Sequence, residues 1–429
     1  MCATNRWEGV KLHDRSLTER LARYVPVLYV DPPISPATPR RRADIDTPAR
    51  PRVRMLTENL AHLAPVVLPG LRRQGVAVAN AEIVRRQIRR AVRELGAPAA
   101  ALVEADVLLP AFGVGERVKV YWAQDDYAGG AELLGLDPVR VQVAEVKVAA
   151  RADVVIAASP VVHAKLAALG ANPLLIPYGC DPEAFASVDS APLPTDVDLP
   201  APVVGLIGHI NERVDVSLLE AVADAGLSLL LVGPIDPAFE PERMRVLLGR
   251  PNVVSVGRKP AEALPSYLRI IDVGLVPYAD TPFNRGSFPL KTLEYLAAGR
   301  AVVSTDLPAT RWLDSPLIVS ATTPRDFAAG VAEQARTDRT DPLVAARRAF
   351  AESHSWDRRA RDFAAAIQVR RRDPVARADR LDPPTRLDPP NRTDPPDRTD
   401  SSGRSDPPAP SDSHDGSVFT SGGDREALQ

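Results

Sequence analysis

The sequence has only two cysteines, Cys2 and Cys180. Two thiols cannot form a disulfide framework, and no zinc-type spacing of cysteine and histidine is present. We therefore expect a cytoplasmic protein. No apolar run approaches the roughly 20 residues that a membrane-spanning helix needs, so any membrane contact is expected to be peripheral.

The sequence has no excess of positive or negative residues, because 53 Lys and Arg residues are balanced by 55 Asp and Glu residues. Because the net charge is −2, the chain lacks the overall positive charge typical of nucleic-acid-binding proteins, and we expect no nucleic-acid partner. At 429 residues, 45% of them hydrophobic, the chain is long enough for two domains and a tail.

One stretch predicts a complete strand–loop–helix–strand unit. An apolar run over 270–277 reads as a buried strand, and a polar loop over 284–289 follows it. Pro289 suits the start of a helix and Gly299 suits its end. The run 301–305 is rich in β-branched residues and predicts the second strand.

The start of this predicted helix suits a phosphate, because free N–H groups and the positive end of the helix dipole lie there. Ser287 would add a hydroxyl and Lys291 an ammonium group. Glu294, about one turn further on, could accept two ribose hydroxyls. The pattern indicates a nucleotide-sugar. The alternative is an ordinary strand–loop–helix unit with solvated surface charges.

The same stretch resembles the donor-binding motif of group 1 (family 4) GT-B glycosyltransferases. The matching run is Pro289-Leu290-Lys291-Thr292-Leu293-Glu294-Tyr295-Leu296-Ala297-Ala298-Gly299, followed by Val302-Val303. The family's usual first glutamate, expected to contact the transferred sugar, is replaced here by Gly286. A divergent branch of the family shares this departure.

The resemblance implies an α/β chain of the GT-B fold, with two Rossmann-like domains and a central cleft. We expect an acceptor-side domain over 1–185, a linker over 186–201 and a donor-binding domain over 202–342. Helices over 343–369 should pack back on the first domain. A repeat of Arg, Asp and Pro over 370–429 predicts a disordered tail.

The second domain should begin with a strand that ends at Gly208. A glycine there lets the backbone approach a phosphate, and Arg213 could supply fixed positive charge to a diphosphate. The family carries a different basic motif at this place, so the match is partial. The alternative for Arg213 is a solvated loop residue.

In the first domain, a strand ending at Trp122 or Ala123 is followed by acids, at the edge where α/β sheets place ligands. Either Asp125 or Asp126 could steady an acceptor hydroxyl or take its proton. The alternative is that one of them caps a helix beginning at Tyr127. No convincing strand precedes Trp7. A basic loop over 35–54 could meet an anionic acceptor or a membrane, or be solvated.

The function predicted from these features is transfer of a sugar from a UDP-, GDP- or dTDP-sugar to an unknown acceptor, either a glycan, a lipid-linked sugar or a small molecule. The resemblance implies retention of the anomeric configuration. We expect no metal and no cofactor, because no Asp-x-Asp motif follows a strand of the predicted donor-binding domain. Lys291, Arg213 and the helix dipole would instead neutralise the charge of the departing diphosphate. The alternatives are an inactive sugar-nucleotide or polysaccharide-binding protein and a nucleotide-sugar epimerase.

Overall fold

The protein is described by a computed structural model over residues 1–37, 51–70, 74–131, 135–337 and 339–372. The predicted tail beyond Arg372 and most of the basic loop lie outside these described residues. Within them, no helix has both the length and the apolar character to cross a bilayer.

The first half of the chain forms a sheet in two parts, with strand orders β1-β3-β2 and β4-β5-β6-β7. All neighbours are parallel except β2 and β3. The strands are β1 (Val27–Val30), β2 (Arg52–Thr57), β3 (Leu60–Ala64), β4 (Ala101–Glu104), β5 (Val118–Ala123), β6 (Val154–Ala157) and β7 (Pro173–Leu175).

The N-terminus joins the two parts of this sheet. Cys2 forms bridges to both Val30 and Glu104, one residue in each part. Its N–H donates to the Val103 carbonyl at 2.8 Å, and the Ala3 N–H donates to Val30 at 3.0 Å. No named strand precedes Trp7 in the described residues, and the pairing there is limited to these bridges of Cys2. Three buried residues, 1–3, are too few to show a strand pattern in the sequence.

Four helices cover the first sheet: α1 (His13–Leu21), α2 (Gln74–Glu94), α3 (Pro138–Arg151) and α4 (Pro160–Ala168). Local chemistry sets the starts of the last two. Asp137 caps α3 by accepting from the Arg140 N–H, and Ser159 caps α4 by accepting from the Val162 N–H. Both caps precede a proline at the first helical position.

The second half forms a six-stranded parallel sheet in the order β10-β9-β8-β11-β12-β13. Parallel strands buried on both faces explain the near-continuous apolar runs seen in the sequence. The strands are β8 (Val203–Ile207), β9 (Ser228–Val232), β10 (Val253–Ser255), β11 (Ile271–Val276), β12 (Ala301–Thr305) and β13 (Ile318–Ala321).

The helices of this half include one that the sequence did not predict. They are α5 (Val216–Asp224), α6 (Pro241–Leu248), α7 (Leu264–Ile270), α8 (Pro282–Gly286), α9 (Leu290–Ala297), α10 (Pro308–Leu313) and α11 (Pro324–Arg336). The short α8 begins inside the interval between the predicted strand and helix. Its start is set by Thr281, whose hydroxyl accepts from the Asn284 N–H.

The last two described helices are α12 (Asp341–Ser353) and α13 (Trp356–Arg372). The second of them packs against α1 and β5 of the first half. Arg20 of α1 donates to Asp357 at 3.0 Å, and the rings of Trp122 and Phe363 meet edge to face at 5.4 Å. The end of the described chain therefore returns to the first half, while the exact domain boundaries stay predictions.

Candidate functional site

The two halves meet at the carboxyl ends of their parallel strands, the edge where α/β sheets place ligands. On one side is the segment that follows β5, and on the other is α8 with the residues after it. The Asp125 carboxylate lies 3.5 Å from the Ser287 hydroxyl. Ser159 donates from its hydroxyl to the Gly286 carbonyl at 2.5 Å.

Lys291, in the first turn of α9, lies directly over Gly208 at the end of β8. A Cβ at Gly208 would sit 2.7 Å from the Lys291 ammonium nitrogen, and the φ of Gly208 is +136°. Only glycine fits this backbone conformation and this contact. The two residues predicted to hold a phosphate are thus brought together by the fold.

Tyr278, just after β11, lies between the two predicted donor cations. Its hydroxyl is 3.3 Å from the Lys291 ammonium nitrogen, and the Arg213 guanidinium lies 4.8 Å from its ring centroid. Burial by itself would raise the Tyr278 pKa, but the positive charges of Lys291 and Arg213 outweigh burial and lower it. Two cations therefore lie beside the same ring, an arrangement that suits a diphosphate.

Arg213 is buried, with 8% of its surface exposed, so the reading as a solvated loop residue was wrong. Its Nε donates to the Asn284 side-chain oxygen at 3.0 Å. Asn284 in turn donates to the backbone carbonyls of Arg213 and Ala279. The ring of Phe283 lies 5.1 Å below the guanidinium. Helix α8 therefore fixes Arg213 next to Tyr278.

Glu294 occupies α9 about one turn beyond the helix start. Burial raises its pKa, and the opposing effect of Lys291 is smaller. Within the part of the chain that the structure describes, its carboxylate accepts no hydrogen bond from any side chain or backbone N–H. A partly buried carboxylate without donors is suited to accept hydroxyl groups from a ligand.

The two candidate acids of the first half have different surroundings. Asp125 is buried beside Ser287. Asp126 accepts at Oδ1 from the Gly129 N–H at 3.0 Å and from the Lys165 ammonium at 2.7 Å. Residues 127–131 form turns rather than a helix, so the alternative interpretation of a helix cap was wrong. Asp126 instead caps a turn through the Gly129 N–H.

The other two residues of the predicted donor site, Gly286 and Ser287, are held by contacts within the protein. Ser287 is buried and also donates to the Phe283 carbonyl at 3.0 Å. Gly286 is buried against Asp126, where a Cβ would lie 2.6 Å from the Asp126 Cβ. A carboxylate side chain at 286 would therefore collide with the first half.

Sequence reasoning missed three residues that shape this site. Tyr278 and Asn284 gave no signal, because their roles depend on contacts across the fold. Asp14 lies in the first turn of α1, and its side chain is fully buried. Asp14 accepts hydrogen bonds from Thr4, Asn5 and the Gln124 side chain. This network fixes the segment that leads to Asp125.

Among the described residues, no three His, Cys, Asp or Glu side chains are grouped so that they could hold a metal ion. The positive charge near α9 comes from side chains, Lys291 and Arg213, together with the helix N-terminus.

Two Rossmann-like halves meeting at their strand ends have the GT-B fold, as the comparison with solved structures confirms. A sucrose-phosphate synthase from Thermosynechococcus elongatus superposes with a TM-score of 0.62 at 20% identity, over 86% of this chain and 95% of that one. An E. coli trehalose-6-phosphate protein bound with UDP-2-fluoro glucose gives a TM-score of 0.63 at 13% identity, over 85% and 98%.

Residues 201–336 match the family model described as glycosyl transferases group 1. The chain is also similar to a putative teichuronic acid biosynthesis glycosyltransferase of Bacillus subtilis, with 30% identity over 227 residues. That match covers 51% of this chain and 57% of the relative. The predicted resemblance is thereby confirmed.

Proposed function

We propose that the protein is a glycosyltransferase that takes a sugar from a nucleotide-diphosphate sugar and moves it to an acceptor hydroxyl. The observation that carries this proposal is the arrangement around α9. Lys291 lies over Gly208, Lys291 and Arg213 flank Tyr278, and Glu294 lies one turn further along. Among the described residues, no group donates to the Glu294 carboxylate. The group 1 family match covers these residues.

The two cations and the helix dipole would hold the donor's diphosphate and stabilise the charge that develops as the nucleoside diphosphate leaves. Glu294 would accept the ribose hydroxyls. From the first half, Asp125 or Asp126 would orient the acceptor hydroxyl or take its proton. Charge stabilisation by fixed cations supports a metal-independent reaction. Retention of the anomeric configuration is proposed from the family resemblance.

The test is calorimetry and turnover with UDP-, GDP- and dTDP-glucose, using metal-free protein in the presence of EDTA. We expect one donor to bind and its sugar to be transferred to an acceptor from a carbohydrate extract, with NMR showing a retained anomeric centre. Failure of every donor to bind would overturn the proposal. Binding without transfer would indicate an inactive binding protein, and an isomerised sugar without acceptor would indicate an epimerase.

The acceptor class and the place of the reaction in the cell stay predictions. The curated relative is named for teichuronic acid biosynthesis, which supports a glycan as the acceptor among the predicted classes. Peripheral membrane contact through the basic loop is proposed on the sequence alone, because most of that loop lies outside the described residues.

A further inference from the structure

Asp126 lies in a space formed by two glycines. A Cβ at Gly286 would be 2.6 Å from the Asp126 Cβ, and a Cβ at Gly129 would be 2.6 Å from the Asp126 Oδ2. Real Cβ atoms do not approach neighbours so closely. The absence of side chains at these two positions therefore lets an acid of the first half lie against the loop of the second half.

A lysine holds this acid in place. Lys165 of α4 contacts Asp126 Oδ1 at 2.7 Å and Glu145 Oε2 at 2.8 Å. Glu145 is fully buried and accepts from the Tyr121 hydroxyl at 2.9 Å. The chain of contacts therefore anchors Asp126 to the core of the first sheet.

The charges in this group do not cancel. Burial lowers the Lys165 pKa, but Glu145 and Asp126 outweigh that effect and raise it, so the lysine is charged. One cation between two carboxylates leaves a net negative charge at Asp126. The contacts to Asp126 go to Oδ1, and among the described residues Oδ2 accepts no hydrogen bond.

The same helix also holds the other side of the contact. Ser159, the N-cap of α4, donates to the Gly286 carbonyl at 2.5 Å, while Lys165 near the end of that helix holds Asp126. One rigid element therefore sets the distance between the acid and the loop that leads into α9. The Asp126 side chain is 15% exposed, so Oδ2 can accept a hydrogen bond from a ligand.

We propose that Lys165 is a positioning residue, which holds Asp126 where position 286 lacks a side chain so that Oδ2 accepts a hydroxyl of the transferred sugar. The inference rests on the proposed function. It makes Asp126 a contact for the sugar part of the donor and leaves the nucleotide part to Lys291, Arg213 and Glu294.

The test compares a sugar nucleotide with its own nucleoside diphosphate. Calorimetry would use UDP-, GDP- and dTDP-glucose against UDP, GDP and dTDP, first on the wild type and then on Lys165→Met, Lys165→Arg and Asp126→Asn. The matched control is Lys11→Met, because Lys11 also makes a 2.8 Å ion pair, with Glu19, but far along the chain from this contact.

We expect Lys165→Met and Asp126→Asn to weaken the sugar nucleotide about 10-fold, as loss of one charge-assisted hydrogen bond does. The nucleoside diphosphate should change by less than about twofold, because its contacts are elsewhere. Lys165→Arg should recover most of the loss, and Lys11→Met should match the wild type. A structural lysine would affect both ligands equally.

Equal weakening of both ligands, or no change in either, would overturn the inference while the wild type still binds its donor. If circular dichroism shows that Lys165→Met does not fold, the same two ligands are titrated into Gly286→Ala, whose Cβ would displace Asp126 without removing a charge. We expect this variant to weaken the sugar nucleotide and to leave the nucleoside diphosphate unchanged. Loss of binding to every donor by the wild type would instead overturn the proposed function.

Discussion

In the first half, the Asp14 carboxylate is fully buried and accepts its hydrogen bonds from residues of that same half. In the second half, the Glu294 carboxylate is partly buried and accepts no hydrogen bond from the residues that the structure describes. Asp14 therefore stabilises the segment around it, whereas the Glu294 carboxylate is available to a ligand.

The largest expected effect tests whether Asp14 is structural. Asp14→Ala leaves the N–H groups of Thr4 and Asn5 and the Gln124 amide without their acceptor. We expect the free energy of unfolding to fall by about 3 kcal/mol, because buried donors lose their partner. Urea denaturation measures it.

The contrast fails if Glu294→Ala destabilises the fold as much as Asp14→Ala does. We expect Glu294→Ala to change the free energy of unfolding by less than about 0.5 kcal/mol, since no protein hydrogen bond is broken. Asp14→Asn keeps an acceptor and should lose less stability than Asp14→Ala.

Asp125 belongs to the first half but reaches Ser287 of the second, so it sharpens the comparison. Asp125→Asn should lower kcat about 100-fold, the scale of a lost general base, with little change in donor affinity. Steady-state kinetics and calorimetry together measure this split. Asp198→Asn, at an exposed acid of the linker, is the control. A variant with wild-type kcat would show that Asp125 is not the base.

Lys291 tests the charge of the second half. Lys291→Met should weaken the donor about 30-fold, because a charge-assisted contact to the diphosphate is lost. The uncharged nucleoside should bind equally to both proteins. Calorimetry with the nucleoside diphosphate and the nucleoside checks this difference. Equal losses for the two ligands would show that Lys291 supports the fold of the site rather than the phosphates.

The smallest effect is expected at Glu294, whose pKa is raised by burial. Glu294→Gln should weaken the donor about 10-fold. In the wild type, donor affinity should fall as the pH falls toward this raised pKa, because a protonated carboxyl accepts hydroxyls less well. The pH dependence should be smaller in Glu294→Gln.

A ligand comparison makes the Glu294 test specific. The wild type should prefer a ribose donor over its 2′-deoxy analogue, and Glu294→Gln should not. An unchanged preference in the variant would place the ribose elsewhere. Titrations at several pH values with both donors provide the two measurements together.

Local patterns predicted much of the fold. A strand was predicted to end at Trp122 or Ala123, and β5 ends at Ala123. The α9 helix was predicted to start at Pro289 and begins one residue later. In both elements, the residues that pack in the core are apolar, and this pattern can be seen in the sequence. The pairing of Cys2 was not predictable, because a bridge depends on residues 28 and 102 positions away.

The site was predicted in part for the same reason. Lys291 and Glu294 lie on one helix, and helical spacing determines their relation. The alternative interpretation of Arg213 was a solvated loop residue. In the structure, Asn284, 71 positions away, holds Arg213 in a buried contact. Distant contacts of this kind leave no pattern in the sequence.

Short-range patterns predicted the strands before and after α9, the position of Lys291 near its start and the carboxylate of Glu294 one turn later, because these depend on neighbours within a few positions. Only the tertiary structure decided that Asp126 lies against Gly286, that Lys165 holds it there and that Tyr278 lies between Lys291 and Arg213. Those relations arise where two sheets meet, and packing between distant segments sets them.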